Sequence, residues 1–224
     1  TNLRPVTISV TRGVAQTAFD TPASVDVIEG STLRDAQLQV NLSETLSRAP
    51  GIVALNRQNY AQDLQISSRG FGARSTFGVR GIRLYADGIP ASGPDGQGQV
   101  SHFDLASASR VEVLRGPFSV LYGNSSGGVI SIYTEDPGPG TVADVSTTFG
   151  SDGVRRLGLK LGGTQGAFQY QISASHFETD GTRDHSAAKR ESLNAKFRYQ
   201  LNPDSRITVV LNSVDMPNVQ DPLG

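Results

Sequence analysis

Cysteine and tryptophan are absent from the 224 residues, and methionine occurs once. Without cysteine there is no disulfide frame and no thiolate metal site, an absence compatible with every compartment. Long apolar runs are missing too. No window approaches the roughly 18 consecutive apolar residues of a membrane helix, so a membrane role would fall to strands. Charge of one sign is not in excess either: 20 Lys and Arg against 21 Asp and Glu leave a net charge of −1. That balance, spread without long single-sign runs, argues against a nucleic-acid partner. No charged and apolar leader precedes Thr1, so either a signal peptide has been removed or the chain is a fragment. The length allows one or two domains with a real core.

What is present centres on residues 110–134, RVEVLRGPFSVLYGNSSGGVISIYT. Val111, Val113, Ile130 and Ile132 alternate with Glu112, Leu114, Ser131 and Tyr133, which predicts two strands that bury one face. Gly116, Pro117, Gly123, Gly127 and Gly128 form the corner between them, where the backbone turns sharply. A short helical turn is expected at 118–121.

Upstream, residues 1–21 read as a mobile arm carrying a β-prone patch, Val6, Thr7, Ile8, Ser9 and Val10, with an ordinary edge strand as the alternative. A strand is predicted over 24–28, broken at Gly30 and Ser31. Asn41 resembles an N-cap with Glu44 reaching back, Leu42 and Leu46 sharing a helical face, and Pro50 and Gly51 ending the helix. Strands follow at 52–55 and 64–68, around a polar tip at 56–60. A glycine-rich loop spans 71–78, and a further strand over 82–87 closes on the turn pair Asp87 and Gly88. The stretch 90–102 is a long polar loop.

Composition changes near 137–140, which predicts a boundary between a domain at 22–137 and a second region at 138–224. In that second region polar and apolar residues alternate in about five segments of nine or ten residues. Leu157, Leu159 and Leu161 oppose Arg156, Gly158, Lys160 and Gly162, and similar alternation recurs around 168–175, 193–201 and 206–212. The connections at 163–167 and 202–205 are tight, whereas 178–191 is long and polar. This is the pattern of an outer-membrane barrel with its tight turns on the periplasmic side, and a soluble meander with one wet face gives the same alternation. Five strands cannot close a barrel, for which about eight is the small limit, so a truncated wall is expected.

Several motifs in order, LSETLSRAPGI, ISSRGFG, LYADGIP and the 110–134 hairpin, resemble the N-terminal part of TonB-dependent outer-membrane receptors. The resemblance implies an α+β plug with a small mixed β-sheet and short helices. Antiparallel strands of an incomplete transmembrane β-barrel would follow it, in a family whose barrels have about 22. It implies an outer-membrane location with the plug facing the periplasm, outer-membrane lipid around the wall, and energy delivered by the TonB transducer. The patch of Val6, Thr7, Ile8, Ser9 and Val10 sits where such receptors keep the TonB-binding segment, and an extended segment can be captured by strand addition.

By position in the family, the ligand-facing residues would be Arg57, Asn59 and Tyr60 in the first tip and Asp95, Gln97, Gln99 and His102 in the later loop. Their chemistry suits a polar metal chelate such as a ferric siderophore: arginine matches anionic oxygens, and tyrosine offers a flat face and a hydroxyl. Cobalamin, haem and oligosaccharides are ligands of the same family. Arg69 and Arg115 resemble plug arginines that meet acidic residues of the barrel wall, acids expected here beyond Gly224 or not at all; Glu112 is a local candidate partner for Arg115, although the two fall on opposite strand faces.

An enzyme is the first rival. GFGARS lacks the context of a dinucleotide site, GNSSGGV lacks the lysine and hydroxyl of a phosphate loop, and His102, His176 and His185 have no metal-ligand spacing. No cofactor is expected. The second rival is a binding or signalling module that uses the plug without transport.

Overall fold

A computed structural model describes residues 24–76, 78–116, 122–123 and 125–221, together with the backbone of two short segments near the start. Those segments, β1 (Thr7–Ile8) and β2 (Gln16–Thr17), pair antiparallel. Val6, Ser9 and Val10 lie outside the described residues, as does the 118–121 turn.

The first domain holds two sheets. One joins β3 (Ser24–Glu29), β10 (Ala108–Arg115), β11 (Val129–Thr134), β7 (Arg83–Ala86) and β8 (Ile89–Pro90), in that order. The other joins β4 (Ile52–Leu55), β5 (Gln65–Ser68), β6 (Val79–Arg80) and β9 (Gln97–Gly98). Each contains one parallel pair, β11 with β7 and β5 with β6, so both sheets are mixed. Two short helices, α1 (Gly30–Arg34) and α2 (Ser43–Leu46), pack leucines 33, 42 and 46 into the core with Ile66, Leu84 and Ile130. Each such buried side chain contributes about 1.5–3 kcal/mol.

The expected hairpin forms, with Val111 opposite Ile132 and Val113 opposite Ile130. Its burial differs from the expectation: both faces of β10 are covered, and Glu112 and Val111 are alike 0% exposed. The valines enter the main core, while Leu114 and Val129 join a second cluster with Tyr85 and Tyr122. β3 and β11 close the two edges of β10, and apolar clusters packed on both sides of the sheet leave neither face wet. The corner depends on Gly128, with φ of 110°, where a Cβ would stand 2.2 Å from the Leu114 carbonyl oxygen. Asp87 and Gly88, with φ of 50° and 82°, form the two-residue link between β7 and β8. Positive φ at both positions is the type I′ geometry that suits the strand twist.

Near α2, the Glu44 carboxylate accepts from the backbone N–H groups of Gln39 (2.7 Å), Val40 (2.9 Å) and Asn41 (2.8 Å). The expected reach-back to Asn41 is present and extended by two further bonds. The cap position itself is Leu42, without a side-chain bond, while Asn41 Oδ1 accepts from Ser43 N at 3.2 Å.

The second region is one antiparallel sheet in chain order: β12 (Gly140–Phe149), β13 (Arg155–Gln165), β14 (Phe168–Thr179), β15 (Ala188–Asn202) and β16 (Ser205–Val219). Its strands run from 10 to 15 residues, all but β12 longer than expected, so the connection read as 178–191 shrinks to 180–187. The alternation is inside-out. Leu157, Leu159, Leu193, Ile207, Val209 and Leu211 are exposed, while Arg156, Gln171, Ser173, Asn194 and Lys196 are buried under the first domain. A wet outer face would not carry such a band, and the membrane-facing reading is the one this arrangement matches. Across the strands near the tight turns runs an aromatic row in which Phe168 and Phe197 stack with centroids 6.2 Å apart. Toward the opposite end Arg155, Glu178 and Lys189 line up in register, with Arg155 Nη1 3.4 Å from Glu178. An apolar band between an aromatic girdle and a polar row is how a strand wall meets a bilayer.

Candidate functional site

Two features carry functional side chains: the seam between plug and wall, and a groove at the end of the plug nearest the 180–187 connection.

At the seam the wall supplies cations and the plug supplies acceptors. Lys196 of β15 places Nζ 2.7 Å from Thr134 Oγ1, 3.1 Å from Asp87 Oδ1 and 3.3 Å from Asp136 Oδ1. Arg198 Nη1 lies 2.9 Å from Asp136 Oδ1, and Lys160 Nζ 2.9 Å from Glu135 Oε2. Arg156 donates to the Gln39 side chain at 3.2 Å, Arg190 to the Val40 and Ser101 carbonyls, and Ser173 to the Asp104 carboxylate. The strand alternation that turns every second residue inward makes this row possible.

Among the described residues, the plug arginines Arg69 and Arg115, whose wall acids are expected beyond Gly224 or not at all, form no ion pair with these five strands. Arg115 forms its ion pair with Asp26 of β3 and donates to the Pro50 carbonyl, inside the plug. Its partner is therefore neither a wall acid nor Glu112, whose Oε1 accepts from Arg110 Nε at 2.7 Å on the same strand face. Arg69 is exposed with φ of 48°, its backbone N–H donating to Gly51 O at 2.8 Å and its side chain lying over Gly51.

The groove is made of three adjoining clefts, and Asp63 lines each of them. The first, about 290 Å³, brings together Tyr60, Gln62, Gln99, Ser101 and the wall residue Arg190. The second contains Arg57, Asn59 and Gln65, and the third, about 420 Å³, contains Gln97, Gln99, Arg74 and Arg80. Of the residues named from the two loops, Tyr60 and Gln99 share the first cleft and Gln97 and Gln99 the third. The rest divide differently. Asn59 is buried, with Nδ2 donating to Asp221 Oδ1 at 2.8 Å and Oδ1 accepting from Ala61 N at 3.0 Å, so its amide is already engaged. Arg57 donates to Gln65 Oε1 at 3.3 Å, and its carbonyl accepts from Arg183 at 2.9 Å. Asp95 caps its own turn through Gln97 N at 3.1 Å. His102 lies outside the three clefts: its ring packs 4.9 Å from Phe103 and its carbonyl accepts from Asn212 of the wall at 2.7 Å.

Burial pushes the Asp63 carboxyl up, against a hydrogen bond from Ser101 and the charge of His102. Burial likewise pushes the His102 imidazole down and the Tyr60 phenol up, the latter helped by Glu44. The Tyr60 ring leans on Phe177 of the wall, with centroids 5.3 Å apart. Asp63, Gln62 and Arg190 were not singled out from the sequence. Arg190 differs in no local respect from its neighbours in an alternating strand, and only the docking of the plug reveals it. Among the described residues no group of His, Asp and Glu is arranged to hold a metal ion.

An α+β plug seated on the polar inner face of a sheet with an apolar outer face defines a plugged β-barrel receptor. The family model described as the TonB-dependent Receptor Plug Domain matches residues 17–129. The chain is 30% identical over 157 residues to the vitamin B12 transporter BtuB of Photobacterium profundum, covering 69% of this chain and 24% of that protein. The fold superposes on the pyoverdine outer membrane receptor FpvA from Pseudomonas aeruginosa with a TM-score of 0.74 and 24% identity, covering 94% of this chain and 30% of that one. The siderophore receptor PirA from Acinetobacter baumannii gives a TM-score of 0.66 and 19% identity, covering 86% of this chain and 31% of that one. The chain belongs to the TonB-dependent receptor family, whose members are outer-membrane β-barrel proteins. It spans about a quarter of the curated relative's length and under a third of the solved receptors'.

Proposed function

We propose that the chain forms the plug (22–137) and five wall strands (138–224) of a receptor that takes up a scarce metal chelate, most simply a ferric siderophore. The observation that carries this reading is the groove around Asp63. It has polar and aromatic walls, lies at the end of the plug beside the 180–187 connection, and sets the cations Arg57, Arg74, Arg80 and Arg190 around a single acid. That balance favours a ligand bearing several anionic oxygens. One structural relative is a siderophore receptor by name and another a pyoverdine receptor. The 30% identity to a vitamin B12 transporter supports cobalamin as the second reading. The arm of residues 1–21 would be captured by TonB through 6–10, where a partner strand would compete with the short pairing of Thr7–Ile8 to Gln16–Thr17. Transport rather than catalysis is the role that the plug and its seam support.

The test is ligand binding and uptake by the full-length receptor. Simultaneous alanine substitution of Tyr60, Gln97 and Gln99 should weaken binding of the cognate ferric chelate at least tenfold, and Ile8→Pro should stop uptake while leaving binding intact. Unchanged chelate affinity in the triple variant, with cobalamin bound instead, would favour the second reading.

A further inference from the structure

Arg190 stands where the seam and the groove meet. One Nη donates to the Val40 carbonyl and the other to the Ser101 carbonyl, so a single wall guanidinium ties two separate plug segments to β15. The same side chain lines the cleft that holds Tyr60 and Gln99. Its Nε is buried with no hydrogen-bond partner. Glu44 and Asp104 lie close enough to act on its charge, yet among the described residues no carboxylate bonds to it directly. A guanidinium served by two neutral carbonyls is under-used, because it matches a pair of anionic oxygens with bonds roughly twice as strong as neutral ones.

The first tied segment is held from two sides. Glu44 grips the amides of Gln39, Val40 and Asn41 from inside the plug, while Arg156 and Arg190 hold the Gln39 side chain and the Val40 carbonyl from outside. In the second segment, the Ser101 carbonyl is held by Arg190, and Ser101 lines the first cleft beside Asp63, the acid common to all three.

We propose that Arg190 is a ligand-reading residue supplied by the wall: a chelate presenting anionic oxygens in the Tyr60–Gln99 cleft draws its guanidinium away from the Val40 and Ser101 carbonyls. Occupancy then loosens residues 39–41 and 101–102 from the wall. The chemistry of the ligand, an anionic oxygen donor, thereby sets how firmly these two segments are held, while the Arg156–Gln39 and Asn212–His102 ties remain. This rests on the groove being the ligand site.

The experiment uses the full-length receptor and a panel of ferric hydroxamate, catecholate and mixed-donor chelates. Binding and amide hydrogen exchange at 39–41 and 101–102 are measured together, with exchange in β10 as the check on folding. In the unaltered protein, binding of a chelate should raise exchange at both segments. Arg190→Gln should bind about tenfold more weakly, the loss of one strong charged contact. Its exchange should already be raised, with no further rise on binding, and Arg190→Lys should fall between. Chelate binding that leaves exchange unchanged or lowers it would overturn the proposal, as would an Arg190→Gln receptor that folds and binds with undiminished affinity. Failure of the whole panel to bind would remove the groove reading and this inference with it.

Discussion

Lys196 Nζ of the wall and Asp87 Oδ1 of the plug lie 3.1 Å apart, with side-chain exposures of only 7% and 12%. Asp87 also accepts from the Thr134 backbone N–H at 3.0 Å and from its hydroxyl at 2.6 Å. The turn that closes β7 and β8 is thereby fastened both to β11 and to the wall. A buried charge stripped of its partner costs about 3–5 kcal/mol. Lys196→Met in the full-length receptor should lower the denaturant midpoint of the plug by a corresponding amount. Adding Asp87→Asn should recover part of it, and a double-mutant cycle without coupling would show that the pair does not hold the seam.

Acid should loosen the same seam. Burial alone would raise the Asp136 carboxyl, but the hydrogen bond from Arg198 and the charges of Lys196 and Arg198 outweigh it and hold it below the usual range. A depressed folded-state value contributes stability above the ordinary carboxylate value of about 3.9, and that stability is lost as pH falls through the lower folded value. Asp63, raised by burial, works in the opposite sense: its contribution is present at low pH and fades as pH rises through the raised value. In melting curves across pH 2–7, roughly the range in which carboxylates titrate, Asp136→Asn should remove part of the acid-side loss. Asp63→Asn should remove part of the decline just above the usual carboxylate range.

Glu44 predicts a local effect. Hydrogen bonds to a charged group are worth about 1.5–3 kcal/mol each, and Glu44 makes three of them to consecutive amides. Glu44→Ala should therefore speed hydrogen exchange of residues 39–41 by at least tenfold while leaving β10 protected. Equal protection in the variant would mean that the segment is held from the wall side alone.

Gly128 is the most exacting glycine of the hairpin. Any Cβ there collides with the Leu114 carbonyl oxygen at a φ that side chains rarely adopt. Gly128→Ala should cost at least 1–3 kcal/mol, roughly the cost of a strained backbone position. A lowered plug melting temperature in the full-length receptor is the readout.

The parts legible in the sequence were those set by local rules. Alternation gave the β10–β11 pairing and the five wall strands, Asp87 and Gly88 announced their turn, and Glu44 its reach back to Asn41. What stayed hidden depends on what lands where. Glu112 reads as the wet side of a strand until Tyr85 and Tyr122 cover that face. Asn59 reads as a free tip residue until Asp221, 162 positions away, takes its amide. The acidic partner of Arg115 is Asp26, from a strand that nothing local ties to it, and the cations of β13 and β15 look like any inward-facing polar residues. The candidate ligand residues were found by position in a family pattern, and their division among three clefts is a matter of tertiary packing.

The sign of the seam also determines what the wall would present without the plug. With Arg156, Lys160, Arg190, Lys196 and Arg198 on the wall and their acceptors on the plug, the plug doubles as the counter-ion of the surface it covers. Displacing it would uncover a positively lined track. In the receptor proposed above, a cargo rich in anionic oxygens would suit such a track better than a cationic one.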